Sequence, residues 1–527
     1  MARMTFLAPT PPDLSAFGVR ALSAYLRSAG HETRLVFIPG SIGKLLPDGS
    51  FAYHYSDAVT EKAAALCAGS DLVGVSFMTP YFDRAVQLTE AVRRTGIPVV
   101  WGGIHPTIRP SEALEYANYV CVGEGEYALD LLLGQRGEAA QVPGVWTRTH
   151  DAAGNGMTSL VQNLDVLPQS DFSNQDHYVL DDGGNAHLLD DPLLEKYLPR
   201  VPGPGGRLRV AYRTMTDRGC PHNCAYCSVP AVKRMFHGDT APYYRQRSPG
   251  HVLDELESVV RRFPALEAIQ FFDDTFFAKS VAWFSEFAPE YKRRIGLPFY
   301  CQASPATLNE TKLALLLDAG LEFVEMGIQT GSRKMREVFR RADTDATVIA
   351  GAQLLAARRS VLLPPIYHVI IDSPWETEDD LLETVRLLAR LPKPFGLAIS
   401  GLTFFPGTEL YSRAVAEGLI VDETAQIYRR PFYVPPRKTY AGFLLYLLTF
   451  QHVPTLLVQF LLRDAVVAFF RRVHPAWLYW LGYGLGETIR LGGKGVQAVA
   501  AGDFRRIGAW VRTRFGGDRG PAGRMGE

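Results

Sequence analysis

Cysteine is scarce in this chain, six residues in 527. So few cannot build a disulfide framework, and the scarcity suits a reducing compartment. Neither charge dominates: 55 Lys and Arg balance 55 Asp and Glu, so no global field draws the chain to nucleic acid or acidic partners. No internal repeat of fixed period occurs, which sets repeat architectures aside. The apolar run near the N-terminus is too short for the core of a signal peptide. No G-x-G-x-x-G follows the first expected strand, which argues against a nicotinamide site. What remains has the make-up of a globular protein, 47% hydrophobic and 21% charged, long enough for about three domains.

Half of the cysteines fall within eight residues: Cys220, Cys224 and Cys227, spaced C-x3-C-x2-C. Thiolates are the natural ligands of iron–sulfur clusters. A structural zinc site wants four closed ligands, usually from paired C-x2-C knuckles. Cys67, Cys121 and Cys301 are isolated and supply no second pair. Three thiolates on a four-iron cluster leave one iron open to a small chelating molecule.

Residues 1–140 alternate strand and helix patterns. Short apolar runs at Met4–Ala8, Thr33–Ile38, Asp71–Phe77, Pro98–Trp101 and Tyr119–Val122 are separated by helical stretches, two of them stopping at Gly30 and Gly96. This predicts an α/β fold with a doubly wound, Rossmann-like sheet. Its ligand would lie beyond the carboxyl ends of the strands. Three polar or glycine-rich loops fall there: Ser76–Thr79, Gly102–Thr107 and Gly123–Glu126. Taken singly, each also reads as an ordinary αβ turn. Residues 141–205 lose apolar periodicity and end in the breaker run Val201–Gly206. A linker is expected, packed over its neighbours or left as a tether.

Residues 206–425 resume strand–helix pairs. Asn309 is placed to cap a helix that Gly320 stops, and Thr377 with Asp380 reads as a capping box. About six such units predict an open (β/α)6 barrel, with active groups at the carboxyl ends of its strands. The cysteine loop, Asp273, Asp274, Gln302, Ser304 and the stretch from Glu325 to Ser332 fall there, with a last strand expected over Leu397–Phe405. Adjacent carboxyls such as Asp273 and Asp274 can share a proton. Strand-end capping and ligand contacts are the favoured role.

With Tyr226 before the last cysteine, the C-x3-C-x-aromatic-C loop resembles the signature of radical S-adenosylmethionine (SAM) enzymes. The resemblance implies a [4Fe-4S] cluster on Cys220, Cys224 and Cys227, with SAM on the free iron. It also implies SAM contacts from Tyr226, Asp273, Asp274, Gln302, Ser304, Glu325 and Gln329. Glu325–Ser332 matches the family phrase E-x-G-x-Q-T-G-S, and Phe404–Thr408 its late P-G-T phrase. Ile371–Thr377 departs from G-x-P-G-E-T, because Asp372 and Trp375 replace glycines.

Ahead of that motif, G-G-x-H-P-T and G-E-G-E resemble the cobalamin-binding domain of cobalamin-dependent radical SAM enzymes. The implied contacts are Pro11, Ser76, Phe77, Met78, Thr79, Gly102, Gly103, His105, Pro106, Thr107, Gly123, Glu124, Gly125 and Glu126. Many cobalamin proteins carry D-x-H-x-x-G after the first strand. Residues 9–14 here hold no histidine, so cobalamin without a lower histidine ligand is expected. His105 reads as a loop histidine near the corrin or its tail.

Residues 426–527 form a helical, partly apolar region. Ala441–Leu462 carries no acidic or basic residue and is long enough to span a bilayer. Gln451, His452 and Pro454 interrupt it, so two short apolar helices on the barrel mouth or at a membrane interface are expected. Cations and aromatics through 441–483 suit peripheral membrane contact. The resulting expectation is a cytoplasmic enzyme fed by a low-potential electron donor. It would transfer a methyl group from SAM via methylcobalamin to an unactivated carbon of a small-molecule or lipid-like substrate. The same cofactors would serve a cyclisation or rearrangement without methyl transfer. A non-catalytic corrinoid-binding or redox-sensing protein is the reading from another class.

Overall fold

In the computed structural model the described residues are 1–13, 16–46, 50–135, 142–149, 156–236, 242–430, 436–451 and 453–473, with isolated positions from 477 to 488. The N-terminal sheet begins with β1 (Arg3–Ala8) and β2 (Glu32–Phe37). Their apolar side chains are nearly all buried, since helices cover both faces. A small hairpin follows, β3 (Ile42–Leu45) with β4 (Phe51–His54). The remaining strands are β5 (Leu72–Ser76), β6 (Val99–Gly102), β7 (Tyr119–Cys121), β8 (Val145–Trp146), β9 (His177–Leu180) and β10 (Ala186–Leu188). The order is β10-β9-β2-β1-β5-β6-β7-β8. The two edge strands run antiparallel and the rest parallel. The chain leaves β1 toward one edge and later continues at β5 on the other side, so the crevice at their carboxyl ends is the switch point where such sheets bind ligands.

The stretch expected as a linker thus adds strands to both edges of this sheet. It also packs over both halves. Asp171 accepts hydrogen bonds from Ser23 Oγ at 2.5 Å and Ser173 N at 2.9 Å, with His177 Nε2 at 3.1 Å. Asp165 accepts from Ser248 N at 2.9 Å.

The second sheet contains β11 (Arg200–Pro202), β12 (Leu208–Thr214), β15 (Ala268–Phe271), β16 (Phe299–Ala303), β17 (Leu321–Gln329), β18 (Ile366–Ile371) and β19 (Gly396–Gly401), in chain order. The hairpin of β13 (Asp217–Arg218) and β14 (Arg245–Gln246) stands apart. Strands β12 and β15 to β19 are parallel, an open six-stranded barrel. Alternation assigns the faces. Tyr212 and Thr214 point outward, both donating to Glu255 of the helix Pro249–Arg262. Arg213 therefore faces the lumen. Ala211, Ala268, Tyr300 and Phe323 pack together as its floor. Gly320 adopts φ +111° where the helix Glu310–Ala319 stops, and Thr377 and Asp380 make the capping box. Strand β19 ends at Gly401, short of Phe405, because the chain turns back through Phe405 N to Thr403 O at 3.0 Å.

After β19 the chain returns to the N-terminal domain. Arg109 donates to Glu423 at 2.6 Å, Tyr428 OH to Glu112 at 2.9 Å and Arg429 to Asp83 at 2.7 Å. The helix Tyr440–Leu448 then runs down the flank of the barrel, not over its mouth, against the helix Glu378–Leu388. Ala441, Leu444, Leu445 and Leu448 are fully buried there. Among the described residues no helix is long and apolar enough to cross a membrane.

Candidate functional site

The cysteine loop springs from the carboxyl end of β12, its two ends pinned by the β13–β14 hairpin. Gly219 adopts φ +89°, and a Cβ there would meet the Tyr243 ring at 2.8 Å. Beneath the loop, Asp273 accepts from Thr216 N at 2.5 Å, Thr216 Oγ1 at 2.8 Å and Asp217 N at 3.0 Å. Lys279 Nζ donates to Asp217 at 2.7 Å. Asp273 and Lys279 have no exposed surface. Asp273 therefore braces the loop and does not reach a ligand, contrary to the SAM contact expected of it. A strand-end aspartate looks the same in sequence whether it turns to a ligand or to its own backbone.

The thiols sit among donors. Arg341 Nη1 lies 3.7 Å from Cys224 Sγ, and its Nη2 donates to Gly327 O at 2.6 Å. Val229 N donates to Cys227 Sγ at 3.4 Å, where Cys227 caps the helix Ser228–Met235. Burial pushes the Cys220 thiol up to about 11 and the Cys227 thiol up to about 12, so these sulfurs ionise only against a compensating cation. Among the described residues no three Cys, His, Asp or Glu side chains are placed to hold one metal ion together. A four-iron cluster puts each thiolate on a different iron and so takes ligands set further apart. Three cysteine sulfurs among N–H donors fit such a cluster.

Gln302 and Glu325 are register partners on β16 and β17, both half-buried. His368 Nε2 lies 3.2 Å from Glu325 Oε2. Sequence reasoning missed His368, although it sits in lumen register on β18. Ser304 is buried, its Oγ 3.0 Å from His222 Nε2 inside the cysteine loop, so it holds that loop. Gln329 adopts φ +69° where β17 shifts register. Asp274 stays open at the end of β15, and burial of its surroundings with the adjacent Asp273 raises its pKa to about 6. Tyr226 stands edge-on to Phe339, ring centroids 5.2 Å apart. Trp375 donates to Glu417 at 2.7 Å and carries Arg413 over its ring, so it packs on the helix Glu409–Ala416.

The loops of the first sheet divide into two groups. His105 is 1% exposed, stacked on Phe77 and edged by Phe82 and Tyr428. Burial and Arg109 lower its pKa to about 4. It is an internal neutral ring, caged by aromatic side chains. Phe77, Thr79 and Pro106 are buried with it, and Thr107 Oγ1 accepts from Gly123 N at 3.1 Å. At Gly103 a Cβ would strike Phe77 O at 2.7 Å, so that glycine serves packing. The carboxylates of Gly123–Glu126 face the barrel. Glu124 accepts from Arg245 Nη1 at 3.0 Å and Nη2 at 2.8 Å, and from Val161 N at 2.8 Å. Glu126 accepts from Arg218 Nη2 at 2.5 Å. A Cβ on Gly123 would lie 3.1 Å from Phe236, and one on Gly125 3.0 Å from Leu22.

Pro11, Ser76, Met78 and Gly102 remain accessible at the strand ends. Met78 is 55% exposed, and the buried Thr10 hydroxyl has no partner among the described residues. An open apolar side chain and an orphaned hydroxyl at the β1/β5 crevice fit a broad ligand with apolar and polar edges, such as a corrinoid.

Residues 5–133 match the B12 binding domain family, and residues 216–388 match the Radical SAM superfamily. An uncharacterized methyltransferase of Pyrococcus horikoshii is 22% identical over 76% of this chain and 79% of its own. The bacteriochlorophyllide d C-8(2)-methyltransferase of Chlorobaculum tepidum is 23% identical over 68% of this chain and 71% of its own. The fold is similar to that of the radical SAM methyltransferase TsrM from Kitasatospora setae, solved with tryptophan and a SAM analogue. The TM-score is 0.59 at 18% identity, covering 80% of this chain and 77% of that one.

Proposed function

This chain belongs to the radical SAM enzymes that carry a B12-binding domain, and on that premise we propose that it moves a methyl group from SAM, by way of cobalamin, to an unactivated carbon of a small molecule. The observation that carries the reading is the joining of two ligand edges. The carboxyl-end loops of the first sheet are clamped to the cysteine loop of the barrel through Glu124 and Glu126 with Arg218 and Arg245. When bound, the cluster supplies the electron that splits SAM, and the corrinoid carries the methyl group.

The chain's own residues then have distinct tasks. Cys220, Cys224 and Cys227 hold the cluster, and the Arg341 guanidinium and Val229 N–H soften the charge on its sulfurs. Tyr226, Asp274, Gln302, Glu325 and Gln329 are assigned to SAM. Asp273 and Ser304 hold the loop that presents it. Pro11, Ser76, Met78 and Gly102 are assigned to the corrinoid, and residues 9–14 offer it no histidine. A low-potential donor and a cytoplasmic setting complete the reading. The exposed Leu456, Phe460 and Phe469, beside Arg463 and Arg471, support contact with a membrane surface from 441–483.

The test is anaerobic reconstitution followed by iron, sulfide and cobalt analysis, then product mass. About four irons per chain, a matching equivalent of cobalt and a product heavier by one methyl group are expected. Cyclisation would give no such gain. Iron without cobalt would overturn the methyl-transfer reading, and Cys224→Ala that still cleaves SAM would overturn the cluster assignment.

A further inference from the structure

Arg213, in the barrel lumen, is a cation that the described residues leave half-satisfied. Arg213 lies on the lumen face of β12, opposite in alternation to Tyr212 and Thr214. Its Nε donates to Gln270 Oε1 on β15 at 2.9 Å. Phe272, itself 41% exposed, lies against one face of the guanidinium, 4.5 Å from Cζ to ring centroid. Among the described residues neither terminal nitrogen has a hydrogen-bond or ion-pair partner. Asp13, from the loop after β1, and Glu325, on the facing wall, are felt only at a distance. The head group thus stands between the N-terminal domain's ligand edge and the wall bearing Glu325 and His368.

We propose that Arg213 is the anchor for a carboxylate of the methyl acceptor, which makes the substrate a small carboxylate-bearing molecule held in the lumen. This deepens the function proposed above and rests on it. The chemistry selects the ligand. Arg213 is only partly buried, and its terminal N–H groups stay open in the lumen, where a ligand carboxylate can replace water on them. With one face covered by Phe272 and Nε tied to Gln270, the open donors point along the guanidinium edge. That fork matches a planar carboxylate. A dianionic phosphate would face a single cation with two protein carboxylates, Asp13 and Glu325, in range. With those carboxylates in range, a single negative charge is repelled less than a double one. Nothing is transferred at Arg213, and its role is to fix where the acceptor carbon lies.

The experiment uses reconstituted holoenzyme with SAM present. Benzoate, benzamide and inorganic phosphate are titrated calorimetrically into the wild type, Arg213→Lys and Arg213→Gln, and cobalt, iron and SAM binding are measured on the same samples. Benzoate is expected to bind the wild type and to weaken about tenfold or more in Arg213→Gln. Arg213→Lys should fall between them, and benzamide should not distinguish the three. Equal benzoate affinity in all three, no benzoate binding by the wild type, or phosphate binding more tightly than benzoate would overturn the proposal. So would loss of SAM binding in Arg213→Gln, which would give the guanidinium to SAM. If the variants do not fold, phenylglyoxal labelling of the wild type decides: benzoate must protect Arg213 from modification and benzamide must not. Arg213-dependent benzoate binding in an enzyme that methylates nothing would leave this subsite standing and defeat the methyl-transfer function alone.

Discussion

Glu126 and Arg218 meet at 2.5 Å across the boundary between the two sheets, and Arg218 lies two residues before the first cysteine of the motif. Burial opposes the Arg218 charge, and the Glu126 and Glu124 carboxylates outweigh it, holding Arg218 firmly charged. Glu126→Gln should cost about 3 kcal/mol in urea unfolding, because it leaves a buried guanidinium short of its partner. The cluster's EPR signal should broaden as the loop loses its brace. An unchanged midpoint and an unchanged signal together would show that this pair positions nothing.

Acid tests the seat of the linker. The Asp171 carboxyl is held well below the usual range, because hydrogen bonds from His177, Ser173 and Ser23 outweigh its burial. A depressed carboxyl contributes stability that is present above the unfolded pKa and lost as pH falls through the folded one. That contribution should therefore fade below about pH 4, and Asp171→Asn should flatten the acid limb of the stability curve. A variant with the wild-type acid limb would refute the assignment.

His105 titrates in a different window. Folding demands its neutral form, since its pKa falls to about 4. Its contribution should shrink as pH drops from about 6.5 toward that value. His105→Phe fills the same aromatic cage, so it should remove this slope and hold neutral-pH stability within about 1 kcal/mol. The visible spectrum of bound corrinoid should not change. A spectral shift would put the imidazole next to cobalt after all.

Asp372 occupies left-handed backbone, φ +63°, and binds Arg430 at 2.6 Å and Arg437 at 2.8 Å. Asparagine tolerates that backbone and alanine does not. Asp372→Ala should lower stability by about 1 kcal/mol more than Asp372→Asn in thermal unfolding. Equal losses would mean that the arginine contacts alone matter.

Local chemistry was legible in the sequence. The thiol spacing, the stop at Gly320 and the Thr377–Asp380 box each declare themselves within a few residues. Long-range pairing was not. Glu124 meets Arg245 from 121 residues away, and no periodicity marks such a partner. Hence the sequence reads Gly123–Glu126 as ligand contacts and gives no sign that its two carboxylates grip the barrel. Strands such as Val145–Trp146 are too short to show alternation, so the linker hid its share of the first sheet. The aromatic cage of His105 includes Tyr428, from the far end of the barrel.

The chain's return to its own first domain sets how the two halves can move. The N-terminal domain is tied to the barrel at three places: by the linker, by the Glu423–Arg429 stretch, and by Glu124 and Glu126 on Arg245 and Arg218. A body tied at one place swings open; a body tied at three separate places keeps its seat. Traffic in and out of the space between the sheets is therefore confined to the sides that no tie crosses. The gap between the two ligand edges is thus built into the fold.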